Sequence, residues 1–117
     1  VDSSSNLQFN SSFGSVGTAY GVRAWVFINN GSGTMAIYGS GGVSSVDDLA
    51  VGSGRVNLSF TMPDTNYCTV SSLQRNANYD MLNVGFSNAT TSFRFDSFSN
   101  GSASTVDLPS YSLASIR

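Results

Sequence analysis

The 117-residue sequence contains no lysine, no glutamate and no histidine, and it has one cysteine and two prolines. Lysine and glutamate, together with alanine and leucine, normally occupy exposed helix faces, so their scarcity argues against a helical protein. Short apolar runs are instead separated by Ser, Asn, Thr and Gly, a pattern typical of brief strands joined by turns. The composition therefore predicts an all-β chain with a single core.

The charged side chains are few and scattered: five arginines stand against seven aspartates, for a formal net charge of −2. A nucleic-acid-binding protein needs clustered cationic side chains to neutralise phosphates, and this sequence has no such cluster. No apolar run approaches the roughly 20 residues that a membrane-spanning helix requires. We therefore expect no nucleic-acid partner and no membrane insertion.

Acid–base chemistry has few candidates, because without histidine and glutamate only aspartate remains. A Ser-His-Asp triad is excluded outright. Asp47 and Asp48 are adjacent, and neighbouring side chains on a strand point to opposite faces. We interpret both as solvated turn residues, since Asp in turns commonly bonds its own backbone. We expect no catalytic residue and predict that the protein is not an enzyme.

Metal and redox chemistry are limited in the same way. Cys68 is the only cysteine, so it can form neither an intrachain disulfide nor a zinc site of several thiolates. A free cysteine is most often a small buried hydrophobic residue, and we therefore expect Cys68 to be buried. The spacing of the aspartates between residues 47 and 80 matches no calcium loop. We expect no metal and no cofactor.

The first clear strand signal is the run over residues 22–28, in which both alternating faces are apolar. One face carries Trp25 and Phe27, and the other carries Val, Ala and Ile. A strand with one solvated face alternates apolar and polar residues, so this strand is expected to be covered on both sides. One cover is the opposite sheet, and the other is either the N-terminal arm or a neighbouring subunit of a homotrimer. Residues 29–33 are rich in Asn and Gly and predict a hairpin turn before a second strand over residues 34–38.

Further strand signals continue along the chain, and the run over residues 56–62 alternates with period two. About eight or nine short strands predict an antiparallel β-sandwich over residues 19–117. The polar residues 1–18 are expected to form a linker or an extended N-terminal arm. The other strands are expected over residues 43–46, 67–73, 81–86, 92–98, 104–108 and 111–116. The predicted core consists of large apolar side chains at inward positions: Trp25, Val56, Leu58, Phe60, Phe93 and Phe95.

Loops are the expected contact sites, since connecting segments carry binding on rigid β scaffolds. Aromatic side chains at strand ends or in loops could stack on sugar rings or serve as core or rim packing; they are Tyr38, Tyr79 and Tyr111. The candidate receptor-binding residues lie in the loops, and they are Tyr79, Asn76, Asn78, Asn88 and Asn100.

Residues 23–67 carry an ordered series of short motifs. An Arg-Ala-Trp-Val strand and an Asn-Asn-Gly-Ser-Gly-Thr turn precede Val-Ser-Ser-Val over residues 43–46. A Gly-Ser-Gly turn, a Val-Asn-Leu-Ser-Phe strand and a Met-Pro-Asp-Thr-Asn-Tyr stop follow over residues 52–67. In this order the motifs resemble a segment of tail-fibre and related appendage proteins of bacteriophages, notably marine and cyanobacterial ones. The resemblance covers about 45 of the 117 residues, and residues 76–117 fall outside it.

The resemblance implies a virion structural protein, the distal (C-terminal) domain of a tail fibre or of another external appendage. Such fibres are generally homotrimers that contact other virion proteins and attach to a host surface glycan or outer-membrane protein. The alternatives are a capsid-decorating or fibre-assembly protein without a receptor, and a fragment of a depolymerase. Binding to host cells separates the first two functions, and release of sugar from host capsule tests the third.

Overall fold

The computed structural model describes residues 3–5, 7–10, 16–18, 21–73, 80–84, 87–99 and 104–117, and these residues contain ten β-strands and no helix. In chain order the strands are β1 (Gln8–Phe9), β2 (Gly17–Thr18), β3 (Val22–Asn29), β4 (Ala36–Gly41), β5 (Val43–Ala50), β6 (Ser53–Leu58), β7 (Cys68–Leu73), β8 (Asp80–Val84), β9 (Ser92–Ser99) and β10 (Ser110–Ile116). The predicted all-β class is confirmed.

Eight of these strands form two antiparallel four-stranded sheets. Sheet I has the order β4-β3-β10-β7, and sheet II has the order β5-β6-β9-β8. The central pairs join strands that are distant in sequence, β3 with β10 and β6 with β9. This arrangement confirms the predicted antiparallel β-sandwich, and the predicted hairpin appears as the pair β3 and β4.

The core lies between the inner faces of the two sheets. Sheet II contributes the rings of Phe93 and Phe95, and sheet I contributes Tyr111, whose ring centroid lies 5.0 Å from that of Phe95. Burial of such large apolar side chains is the main favourable contribution to the stability of a small domain. Of the predicted core residues, four are buried and one is partly buried against the same cluster: Val56, Leu58, Phe93 and Phe95, and then Phe60.

The prediction that Trp25 lies in the core is wrong, because its side chain is 48% exposed on the outer face of sheet I. The buried positions of β3 are Ala24, Val26 and Ile28, which are small or β-branched. Interiors are close-packed, and short side chains on this strand leave room for the aromatic rings that the opposing sheet places in the core. The two largest side chains of β3 therefore face outward.

The chain passes from sheet I to sheet II at Gly42, between β4 and β5. Its φ is +69°, and a Cβ there would lie 2.7 Å from the carbonyl oxygen of Arg23. Only glycine adopts this corner without strain. The Gly42 carbonyl accepts a hydrogen bond of 3.1 Å from the Ser59 amide. This bond connects the corner to the residue that directly follows β6.

Three predicted strands have different bounds in the structure: β6 is Ser53–Leu58 and not residues 56–62, β4 begins at Ala36 and not at residue 34, and β4 and β5 extend over polar or small residues. β4 continues to Gly41, past the predicted end at residue 38. β5 continues to Ala50, so Asp47 and Asp48 are strand residues and not turn residues. The outward Asp47 carboxylate lies 3.6 Å from the Arg55 guanidinium of the neighbouring strand, and this partner explains how an aspartate is accommodated there.

Two other expectations also fail. Residues 104–108 form no strand, and Thr105 makes only an isolated bridge with Phe98. Cys68, interpreted from the sequence as buried, is exposed at the start of β7, because it shares the outer face of sheet I with Val70.

The described part of residues 1–18 contains β1 and β2, which pair with each other as a separate two-stranded sheet. The apolar side chains of this region are more than half exposed; they are Leu7, Phe9 and Val16. Among the described residues of the chain, no helix is long and apolar enough to cross a membrane.

Candidate functional site

The outer face of sheet I carries large apolar side chains that remain in contact with water. Alternation along β3 directs Trp25 and Phe27 outward, and they are 48% and 38% exposed. Tyr38 on β4 is 68% exposed and Val70 on β7 is 45% exposed. Contiguous exposed apolar side chains mark interaction sites, whereas isolated ones are unremarkable on any surface.

Two glycines of β4 lie beneath the Trp25 indole. Gly41 pairs with Trp25, and Gly39 pairs with Phe27. A Cβ at Gly41 would lie 2.5 Å from Trp25 Nε1, and a Cβ at Gly39 would lie 3.4 Å from the six-membered ring. The indole therefore lies across the outer face of β4, with one ring face against the backbone and the other toward solvent.

A register shift next to Phe27 positions the third aromatic ring. Phe27 pairs with Gly39, but Ile28 pairs with Ile37, so Tyr38 is an extra residue in β4 at this point. The rings of Phe27 and Tyr38 meet edge to face, with centroids 6.2 Å apart and an interplanar angle of 79°. This is a favoured geometry for aromatic pairs, and it holds both rings on the outer face.

Small residues of β10 form the floor between β3 and β7. β3 and β7 both pair with β10, so they lie roughly 10 Å apart on either side of it. Two cross-strand rows form the face, and they are Trp25–Ala114–Val70 and Phe27–Ser112–Ser72. Because the middle side chains are Ala114 and Ser112, the centre of the face is lower than the side chains of Trp25, Phe27 and Val70 that flank it.

The result is a groove of about 440 Å³, which we call the aromatic groove. Its volume falls within the roughly 300–1,000 Å³ of small-molecule sites. The described lining carries no charged or titratable side chain, and it consists of Trp25, Val26, Phe27, Val70, Ser71, Ser72, Ser112, Leu113 and Ala114. Such a lining can bind through apolar contact and neutral hydrogen bonds.

The outer face of sheet II is chemically the opposite. Arg55 and Arg94 lie directly across from each other, and each has polar neighbours that offset the repulsion. Arg55 pairs with Asp47 at 3.6 Å. On the other side, Arg94 donates to the Ser53 hydroxyl at 3.4 Å, and that hydroxyl donates to Asp96. These charged side chains therefore contact polar partners on neighbouring strands of the same face.

Most of the predicted receptor-binding residues cannot be placed. Tyr79, Asn76, Asn78 and Asn100 lie outside the described residues. Asn88 is described, and its side-chain amide donates to the Tyr67 carbonyl at 3.0 Å. This contact gives Asn88 a role in holding two segments of the chain together.

The two described aromatic candidates have different environments. Tyr38 is exposed beside the aromatic groove, whereas Tyr111 is completely buried, so packing is the correct interpretation of Tyr111. Its hydroxyl accepts a hydrogen bond from the Leu108 amide at 3.0 Å and lies 3.1 Å from the Ser97 hydroxyl. Tyr111 therefore joins β10 to β9 through the core.

Two titratable groups outside the groove have shifted pKa values. Burial raises the pKa of Tyr67, whose hydroxyl lies 2.8 Å from the carbonyl oxygens of both Ala89 and Ser92. The hydrogen bond from Arg117 lowers the pKa of Asp64. Neither group lines the aromatic groove.

Sequence reasoning missed the groove because it assigned Trp25 to the core and ended the second strand at residue 38, before Gly39 and Gly41. Two signals in the sequence point to it. The run over residues 22–28 is apolar on both faces, and the strand that follows its turn carries glycine at alternate positions, Gly39 and Gly41. Glycines at alternate strand positions leave one face of that strand bare, and a large side chain of the neighbouring strand can fill this space.

Within the described residues, no three side chains of the metal-ligating types are grouped as a metal site. Comparisons with protein-family models, with curated proteins and with solved structures found no match. Function must therefore be inferred from the chemistry of the aromatic groove and from the motif series over residues 23–67.

Proposed function

We propose that the chain is an attachment module of a bacteriophage tail fibre or related virion appendage, and that it binds the host cell surface without catalysing a reaction. The observation that carries the binding role is the aromatic groove, in which half-exposed aromatic rings are held on the outer face of a sheet. The phage origin rests on the ordered motifs over residues 23–67.

The chemistry of the groove favours binding over catalysis. A glycoside-cleaving site uses a pair of carboxylates, one of which protonates the leaving oxygen. The described lining offers hydroxyl groups and apolar surface but no carboxylate. A depolymerase role for this surface is accordingly less well supported than attachment.

The resemblance also leads us to propose a homotrimer of this chain in the virion. If the subunits met through the outer face of sheet I, the aromatic groove would be closed to a ligand. Oligomeric state and ligand binding should therefore be measured on the same preparation, by light scattering after size-exclusion chromatography and by cell binding.

Two measurements test the attachment role. The fluorescently labelled chain should bind cells of a bacterium that the parent phage infects, and antibody raised against the chain should label an external appendage of the particle. Heat-unfolded chain is the control for nonspecific adsorption. Labelling of the particle without cell binding would favour the decorating or assembly role, and sugar release from isolated capsule would favour a depolymerase.

A further inference from the structure

We propose that the outer face of sheet I binds an uncharged saccharide, with one sugar ring stacked on the exposed face of the Trp25 indole above β4 and the adjoining sugar in the aromatic groove above β10. This inference rests on the proposed attachment function and names its ligand class and its site. The indole is held flat over Gly39 and Gly41 and is 48% exposed. A rigid aromatic plane that is already positioned can cover the apolar C–H face of a sugar without ordering a flexible side chain.

The floor of the groove supplies the polar part of such a site. Ser112 and Ser72 face each other in the row beside Trp25, and neither hydroxyl is hydrogen-bonded to another described residue. The indole N–H likewise has no hydrogen-bond partner in the described part of the chain. Hydroxyls both donate and accept, so the two serines complement the hydroxyls of the sugar that lies in the groove, and the indole N–H can serve the stacked ring beside it.

The charge distribution selects an uncharged ligand. The described lining of the groove has no cationic side chain to pair with a carboxylate or a sulfate. Arg23, on the same strand as Trp25, places its guanidinium 5.4 Å from the centre of the Phe60 ring, which is a cation–π contact and not a groove contact. A buried unpaired charge is costly, so an acidic sugar would gain little here.

The same features argue against a second copy of the chain as the occupant. A close-packed subunit interface would bury the Ser72 and Ser112 hydroxyls and the indole N–H, and buried polar groups without partners are unfavourable. The face is also a concave groove of about 440 Å³, which suits a narrow ligand that carries its own hydroxyl groups.

The glycines beneath the indole provide a matched pair of variants that keep the tryptophan. In G41A the new Cβ would lie 2.5 Å from Trp25 Nε1, so the indole must move. In G39A the new Cβ would lie 3.4 Å from the six-membered ring of Trp25, which is an ordinary contact. We expect Trp25→Ala and G41A to weaken binding to cells by roughly threefold to tenfold, the scale of a lost stacking contact. G39A and Val51→Ala, which removes an exposed apolar side chain outside the groove, should bind as the parent chain does.

Chemical and enzymatic treatment of the cells tests whether the ligand is a saccharide or a protein. Periodate oxidation, which cleaves sugar diols, should abolish binding of the 117-residue chain, whereas protease treatment and added salt should leave it intact. Equal binding by Trp25→Ala, or binding that protease removes and periodate spares, would overturn the saccharide proposal while leaving attachment standing. A Trp25→Ala change that dissociates an oligomer would assign the groove to self-association instead. Failure of the parent chain to bind any cells would contradict the attachment function itself.

A melting curve of each variant shows whether lost binding reflects unfolding. If G41A is unfolded, Trp25→Phe takes its place, because it keeps an aromatic ring and removes only the indole N–H and part of the stacking surface. Binding by Trp25→Phe that is intermediate between the parent chain and Trp25→Ala supports the stacked geometry, and binding no better than Trp25→Ala contradicts it.

Discussion

The outer faces of the two sheets differ in whether their side chains have contact partners within the same face. On sheet II, arginines, aspartates and a serine bond to one another across neighbouring strands, as in the pair of Arg55 and Asp47. On sheet I, the rings of Trp25 and Phe27 are half exposed, and the serine hydroxyls between β3 and β7 make no hydrogen bond to a described residue. A face whose polar groups already contact one another gains little from a ligand. Covering apolar surface that is exposed to water, in contrast, lowers the free energy.

The largest effect should come from comparing one phenylalanine inside the sandwich with one outside it. Phe95 is fully buried and Phe27 is 38% exposed. Phe95→Ala should destabilise the fold by about 3–5 kcal/mol, because it leaves a cavity. Phe27→Ala should cost about 1–2 kcal/mol, since it leaves no enclosed cavity. Denaturant unfolding measures both, and equal losses would show that the outer face is as tightly packed as the core.

This comparison also shows how far the sequence could predict the fold. The alternation of apolar residues correctly identified Val56, Leu58, Phe93 and Phe95 as inward. It could not decide which apolar face of β3 points inward, because that depends on the size of the side chains on the opposing sheet. The rings of sheet II favour the small face of Ala24, Val26 and Ile28.

Other features escaped the sequence for local reasons. Asp47 lies on β5 directly opposite Arg55 of β6, and strand propensity read residue by residue does not register such a cross-strand partner. Cys68 is exposed because its strand faces the solvent on that side. The predicted contact loops lie mostly outside the described residues, so their role stays a prediction.

A second comparison concerns hydroxyl groups on neighbouring residues of β10. The Tyr111 hydroxyl is buried and bonded to Leu108 and Ser97, whereas the Ser112 hydroxyl faces the groove. Tyr111→Phe should destabilise the protein by about 1–3 kcal/mol, because the Leu108 amide loses its partner. Ser112→Ala should change the free energy of unfolding by less than about 0.5 kcal/mol. A Tyr111→Phe variant as stable as the parent would show that this network does not hold the sheets together.

Tyr67 makes the free energy of unfolding of the sandwich sensitive to alkaline pH. Its pKa in the folded state is raised by burial, so its contribution is present below the unfolded value of about 10 and is lost as the pH rises through the folded pKa. The loss is at most about 1.4 kcal/mol per pH unit for one group. Urea unfolding between pH 8 and pH 11 measures it, with Tyr67→Phe as the control. An identical alkaline decline in that variant would assign the effect to other residues.

The smallest effect is expected on the charged outer face of sheet II. Asp47 and Arg55 are both more than two-fifths exposed, and exposed ion pairs contribute about 0–1 kcal/mol. Asp47→Asn should therefore lower the free energy of unfolding by less than about 1 kcal/mol, and salt should reduce the difference further. It should leave cell binding unchanged, whereas a loss of binding would move the functional surface from sheet I to sheet II.

The central claim is that the outer face of sheet I is an open binding surface, and the chain reports on it directly because Trp25 is its only tryptophan. The measurement is a titration of the 117-residue chain with polysaccharide extracted from the cells that it binds, followed by tryptophan emission and acrylamide quenching. A sugar stacked on the half-exposed indole should shift the emission to shorter wavelength and protect it from the quencher, and G41A should reduce both changes relative to G39A. Unchanged emission and quenching at polysaccharide concentrations that saturate binding would contradict the claim.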